Sequence, residues 1–139
     1  MRSLGLDIGE RRIGVALSDT QGILASPFTI VDRKEDDKDI AVILDIIDER
    51  QVGQVIIGLP YSMNGSISQQ AERVKAFTER LCGQTEIPIE FRDERLSTIS
   101  ARRMMREAAR KKSRKKVNDD AIAAAVILQG FLDEKRQSL

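Results

Sequence analysis

The chain has 139 residues, 41% of them hydrophobic and 32% charged, with a formal charge of +1, a single cysteine (Cys82) and no histidine. One cysteine excludes an intramolecular disulfide, and without histidine neither the usual zinc sites nor a Ser-His or Cys-His nucleophile pair can be built, which leaves carboxylate chemistry. The length fits one domain of ~100–200 residues, and with no secretory apolar region and no run of ~20 apolar residues, residues 1–139 are expected to form a single soluble cytoplasmic domain without a membrane partner.

The first predicted elements are the two strands of LGLDIGERRIGVALSD, Leu4 to Asp19. With period two, Leu4, Leu6 and Ile8 point one way and Gly5 and Asp7 the other, so a lone carboxylate stands near the end of an apolar strand. Ile13, Val15 and Leu17 continue the pattern against Gly14, Ala16 and Ser18, which leaves one sheet face lined by small side chains. A turn at Thr20-Gln21-Gly22 precedes a third strand, Ile23 to Val31, whose Pro27 predicts a sheet edge because proline cannot donate to a ladder. The acidic stretch Glu35 to Asp39 then opens a crossover helix with the stripe Ile40, Ile43, Leu44 and Ile47.

Val55, Ile56, Ile57 and Leu59 read as a strand buried on both faces and parallel to the first. It ends in GLPYSMNGSISQQAERVKAF, a glycine-containing loop leading into a helix, with Ser66 and Gln69 as a capping box and Ile67, Ala71, Val74, Phe77 and Leu81 as the buried stripe. Such a loop places free amides beside a helix amino terminus, where phosphate binds well. Ile87, Ile89 and Phe91 form the last strand, which runs into Asp93-Glu94-Arg95-Leu96-Ser97-Thr98.

A helix from about Ser97 to Ala109 is expected to turn Ala101, Met104, Met105 and Ala108 inward, followed by a basic loop. From Arg102 to Lys116 nine basic residues face Glu107 alone, a local charge of +8 that leaves the remainder at −7. A concentrated basic segment without interleaved aromatic residues favours a polyanion, most often nucleic acid, over a membrane surface. The final helix, DDAIAAAVILQGFL, begins near Asn118. Ala123 and Ala124, one turn beyond Asp120, give it a close-packing face that complements Gly5, Gly14 and Ala16 and brings Asp120 towards Asp7.

These elements predict an α/β fold with a mixed five-stranded sheet of order 3-2-1-4-5, the second strand alone antiparallel, and helices on both faces. Asp7, the Gly58 to Gly65 loop and the Asp93-Glu94 doublet then lie beyond the carboxyl ends of the parallel strands, where such sheets form their sites. Acids gathered from Asp7, Asp93-Glu94 and Asp120 call for a cation, and hard oxygen ligands suit Mg²⁺ or Mn²⁺ acting on a phosphodiester.

The blocks LDIGERRIGVALSD, IGLPYSMNGSISQQAERVKAF, DERLST and DDAIAAAVILQGFL resemble those of the bacterial YqgF (RuvX-type) family, RNase H-like proteins described both as Holliday junction resolvases and as pre-16S rRNA nucleases. The resemblance spans essentially the whole chain and implies an RNase H-like three-layer fold and a divalent-metal endonuclease. It carries the catalytic, metal-ligating acids onto Asp7, Glu94 and Asp120, with Asp93 and Asp119 as the alternates within their doublets. Phosphate contacts are expected from Gly9, Arg12, Asn64, Gly65, Arg95, Arg110, Lys111, Lys112, Arg114, Lys115 and Lys116. The implied substrate is structured RNA, in particular the 5′ end of the small-subunit rRNA precursor. The alternatives are a four-way DNA junction, whose cleavage favours a homodimer over a monomer, and a non-catalytic nucleic-acid-binding module. A nucleotide phosphotransferase of the actin-like kind needs two such lobes.

Overall fold

The computed structural model describes residues 1–61, 68–113 and 117–137. In chain order the elements are β1 (Arg2–Ile8), β2 (Arg12–Ser18), β3 (Ala25–Asp32), α1 (Asp36–Glu49), β4 (Val52–Leu59), α2 (Gln69–Cys82), β5 (Ile89–Asp93), a 3₁₀ turn (Glu94–Leu96), α3 (Ile99–Ser113) and α4 (Asp119–Gln137). The sheet order is β3-β2-β1-β4-β5, with β2 antiparallel to both its neighbours and β1, β4 and β5 parallel. The central position of β1 follows from connection lengths: short turns allow only antiparallel hairpins on one side, and the helical crossovers place β4 and β5 on the other.

Alternation divides the core into two layers. Leu4, Leu6 and Ile8 of β1, Ile13 and Val15 of β2, and Val55 and Ile57 of β4 pack with Ile40, Ile43, Phe77 and Leu81 of α1 and α2. On the opposite face, Ala16 and Ile56 meet Ala124, Ala125, Ile127, Leu128 and Phe131 of α4. That face has to be small. A methyl group on Gly5 would stand 2.9 Å from both the Ala124 carbonyl and the Leu128 Cβ, so α4 rests almost on the sheet backbone. Residues Ala121 to Leu128 are all buried, because α4 has the sheet beneath it and α3 above part of it.

Several local features differ from the sequence expectation. The third strand begins at Ala25, since Asp19 accepts hydrogen bonds from the Ile23 and Leu24 amides (2.7 and 3.2 Å) and folds these residues into the turn. Pro27 does lie on the edge strand, at a register shift opposite Ala16. The last strand begins at Ile89 and includes Asp93. The cap of α2 is Ser68, whose Oγ accepts from the Ala71 amide (3.1 Å) and donates to the Pro60 carbonyl (3.2 Å); Ser66 and Ile67 lie outside the described residues.

α3 departs most. It runs on to Ser113 through residues expected to form a loop, because Arg and Lys are good helix formers and favour a helix carboxyl terminus. Met104 is 71% exposed and Ala108 is exposed, contrary to the inward stripe. The helix contacts its neighbours through a narrower line of Ala101, Met105 and Ala109, packed with Ile122 and Val126. Between α3 and the β3 edge an open groove of ≈ 770 Å³ remains, lined by Phe28, Leu96 and Met104 among others.

Candidate active site

Asp7 is the second-last residue of the central strand and shares with Gly5 the α4 face of the sheet. It is half-buried, and its antiparallel partner on β2 is Gly14. On the other side Gly58 is the second-last residue of β4 and follows the bulky run Val55-Ile56-Ile57. A methyl group at Gly58 would lie 2.8 Å from both Cγ and Oε1 of Glu94 and 2.6 Å from Ile127 Cδ1. The missing side chain is what lets Glu94 lie across the sheet end and reach Asp7.

Glu94 and Asp7 are in side-chain hydrogen-bond contact. Burial, then the hydrogen bond to Asp7 and the charge of Asp7, push the Glu94 carboxyl from its ordinary 4.5 up to about 9, with Arg102 opposing the shift. Two carboxyl groups in contact cannot both ionise cheaply, so the pair holds one proton or needs a cation.

The neighbouring acid behaves differently. Asp93 caps the 3₁₀ turn by accepting from the Arg95 amide (2.9 Å) and binds the Arg95 guanidinium at 2.7–3.1 Å. Arg95 holds its carboxyl below the usual range, and the Arg95 guanidinium lies 5.1 Å from the centre of the Tyr61 ring. Of the doublet, Glu94 faces Asp7 and Asp93 organises the turn. Arg95 is therefore already engaged by an acid and an aromatic face.

Asp120 reaches the same region from α4. A methyl group on Gly14 would overlap the Asp120 carbonyl, which places the first turn of α4 directly over the strand partner of Asp7. Asn118 caps this turn, its Oδ1 accepting from the Asp120 amide (2.7 Å). The Asp120 carboxylate accepts from Arg12 Nε at 2.9 Å, with the two side chains 37% and 49% exposed. Asp119 instead pairs with Arg106 (2.8 Å) and is 80% exposed. Thus Asp7 and Glu94 touch, while Asp120 stands over the adjacent strand with its carboxylate on Arg12. Among the described residues no three acidic groups are gathered around one point.

The expected phosphate-binding residues are placed unequally. The Gly9 amide donates to the Arg12 carbonyl (2.9 Å), so it is committed to the β1–β2 turn and is not offered to a phosphate. Arg110, Lys111 and Lys112 are exposed on the last turn of α3. The Arg106–Asp119 pair and the packing of Ala109 on Ile122 bring that turn to the Asp120 end of α4. Asn64, Gly65, Arg114, Lys115 and Lys116 lie outside the described residues.

Two supports of the site were not expected from the sequence. Arg33, 20% exposed, binds Asp39 (2.8 Å), Asp36 (2.6 Å) and the Gly9 carbonyl (3.0 Å), tying the turn after Asp7 to the start of α1. Gln70 of α2 donates to the Ile8 carbonyl (2.9 Å). An arginine just before an acidic cluster, in DRKEDDKD, is the sequence signal for the first; Gln70 has none.

The hard oxygen donors of Asp7 and Glu94, in contact at the end of the central strands, fit a divalent cation, and Asp120 is the third acid within the same region. Comparison with known proteins agrees with this chemistry. The family model described as "RuvX: Holliday junction resolvase" matches residues 1–134. A Trichormus variabilis protein named "Putative pre-16S rRNA nuclease" is 44% identical over 134 residues, 96% of this chain and 89% of that one. One of the same name from Clostridioides difficile is 43% identical over 137 residues, 99% of this chain and 97% of that one. Among solved structures, T. thermophilus RuvC in complex with a Holliday junction substrate superposes with a TM-score of 0.68 at 10% identity, covering 98% of this chain and 96% of that one. The fowlpox virus Holliday junction resolvase gives 0.61 at 12% identity, covering 97% and 99%. At such identities the likeness is one of fold.

Proposed function

Because this chain belongs to the RuvX (YqgF) family, we propose that it is a divalent-metal-dependent endonuclease that hydrolyses phosphodiester bonds in structured RNA in the cytoplasm. Its substrate is the small-subunit (pre-16S) rRNA precursor, as the names of its relatives suggest, cut at the 5′ end as the family resemblance implies. The contact between Asp7 and Glu94 carries this reading. A half-buried carboxyl pair at the carboxyl end of parallel strands, beside a third acid and a basic helix end, is costly for stability and suited to a cation acting on a polyanion.

Asp7, Glu94 and Asp120 are the residues that would hold the ion, Mg²⁺ or Mn²⁺. When bound, the ion supplies Lewis acidity at the phosphate and lowers the pKa of water at the site. Gly58 gives Glu94 its path, and Gly14 seats Asp120. Asp93 and Arg95 fix the turn from which Glu94 projects. Arg110, Lys111 and Lys112, continued by Arg114, Lys115 and Lys116, bind the nucleic-acid backbone and position it without reading sequence. No side chain acts as a covalent nucleophile.

The family description favours one second reading, cleavage of four-way DNA junctions. Both substrates suit one catalytic centre, and they differ in the oligomer required: paired cuts across a junction need two sites, hence a homodimer. Purified protein should be incubated with precursor rRNA, a four-way DNA junction and plain duplexes in Mg²⁺, Mn²⁺ and chelator. Metal-dependent cleavage of the precursor alone is expected. Junction-selective cleavage by a dimer would replace the RNA reading, and binding without cleavage in any metal would leave only a nucleic-acid-binding module.

A further inference from the structure

We infer that Arg12 is a substrate-responsive latch on Asp120: it holds this acid away from the ion until a backbone phosphate of the nucleic acid takes its place. The inference rests on the proposed roles of Asp7, Glu94 and Asp120 as metal ligands.

Three observations carry it. First, Arg12 Nε holds Asp120 Oδ2 at 2.9 Å, whereas Glu94 and Asp7 are in contact with each other, so one of the three acids is engaged elsewhere. Second, the main chain of Asp120 is fixed. Its carbonyl is seated on Gly14 and its amide is capped by Asn118, so its carboxylate changes partner by side-chain rotation rather than by movement of the helix. Third, the pair is accessible, at 49% and 37% exposure, and the turn that carries Arg12 is braced by the bond from the Gly9 amide to the Arg12 carbonyl and by Arg33 on the Gly9 carbonyl. The guanidinium therefore moves on a fixed base.

The chemistry of exchange is favourable. A half-exposed ion pair is weak, and a phosphate offers a guanidinium the same charge and a comparable bidentate geometry. A nucleic acid placed by the basic end of α3 brings phosphates to the Asp120 end of α4, close to Arg12. Once phosphate replaces Asp120 on Arg12, the freed carboxylate adds a third donor to the ion. Metal binding and substrate binding then strengthen one another by the same factor.

The test is Mn²⁺ titration by calorimetry of the full chain, alone and with a nuclease-resistant 2′-O-methyl RNA hairpin, for wild type, Arg12→Gln, Arg11→Gln and Asp120→Asn. Arg11 is exposed and adjacent, and its substitution removes the same charge without touching the pair. Arg12→Gln should bind Mn²⁺ about two- to fivefold more tightly than wild type without RNA, the range expected for release of an exposed ion pair. It should gain little when RNA is added, whereas wild type should tighten by a similar factor. Equal effects of Arg11→Gln and Arg12→Gln, or no gain in Arg12→Gln, would overturn the latch while leaving the metal site standing, provided Asp120→Asn weakens Mn²⁺ binding. Wild-type Mn²⁺ affinity in Asp120→Asn would instead remove Asp120 from the ligands, and the latch with it.

Discussion

At the residue scale, two adjacent acids in the DERLST segment are assigned different tasks by their surroundings. Glu94 lies over Gly58 against Asp7, whereas Asp93 serves the turn through Arg95. Glu94→Gln should lower Mg²⁺ affinity and cleavage with little loss of stability. Asp93→Asn keeps a cap acceptor but loses the charged bonds to Arg95, so it should cost up to about 1 kcal/mol and retain cleavage. Calorimetric melting and initial rates of the two variants distinguish the roles, and the reverse pattern would exchange them. The raised Glu94 pKa also sets a pH dependence. In the folded protein the group keeps its proton to about 9, while the unfolded chain releases it near 4.5, so the folded state binds more protons between these values. This contribution is complete below the lower value and is lost as pH rises towards the upper one, so stability in chelator falls across that window. Urea midpoints should show the decline in wild type and a flatter profile in Glu94→Gln. Parity along the strand left this doublet undecided in the sequence, because Glu94 falls where the chain leaves the strand. The acidic cluster after Arg33 signals its local partner Asp39, but the bond to Gly9 was illegible because that residue lies on a distant turn.

At the scale of elements, apolar alternation and the connection rules made the sheet order legible, along with the small-residue seam between α4 and the sheet. The seam can be tested at Gly14. Alanine there meets the main chain of Asp120 rather than a yielding side chain, so α4 must shift. Overpacking of this kind costs ~1–3 kcal/mol, and cleavage should fall further than the stability loss accounts for, because Asp120 moves with the helix. Equal stability and activity in Gly14→Ala would contradict the close seating. The extent and orientation of α3 were not legible. Its charge run reads as a loop when taken as repulsion alone, yet its Arg and Lys residues are good helix formers, and a helix packed mainly on α4 buries a narrower stripe than its sequence offers. The basic end of this helix predicts a salt response. Replacing Lys111, Lys112, Lys115 and Lys116 by alanine should weaken binding to all nucleic acids alike and reduce the log–log salt slope by about 0.7–0.9 for each phosphate no longer neutralised. An unchanged slope in a fluorescence anisotropy titration would place the nucleic acid elsewhere.

At the scale of the whole molecule, a nearly neutral chain separates its charge, with +8 between Arg102 and Lys116 and −7 over the rest. The fold brings the part of the basic segment in α3 to the end of α4 that bears Asp120, so on the proposed function a polyanion is drawn to the edge of a site whose own groups repel it. On the proposed function, substrate capture and bond cleavage belong to different residues and should separate experimentally. The most direct measurement is single-turnover cleavage of the precursor rRNA in Mg²⁺ by wild type and Asp7→Asn, with binding of the same RNA measured in parallel. Asn preserves the shape of Asp7 and removes one ligand charge, so binding and thermal stability should be retained while the rate falls to about 1% or less, beyond the ~10–100-fold cost of losing an outer-shell partner. Cleavage by Asp7→Asn at the wild-type rate would contradict the carboxylate site as the catalytic centre.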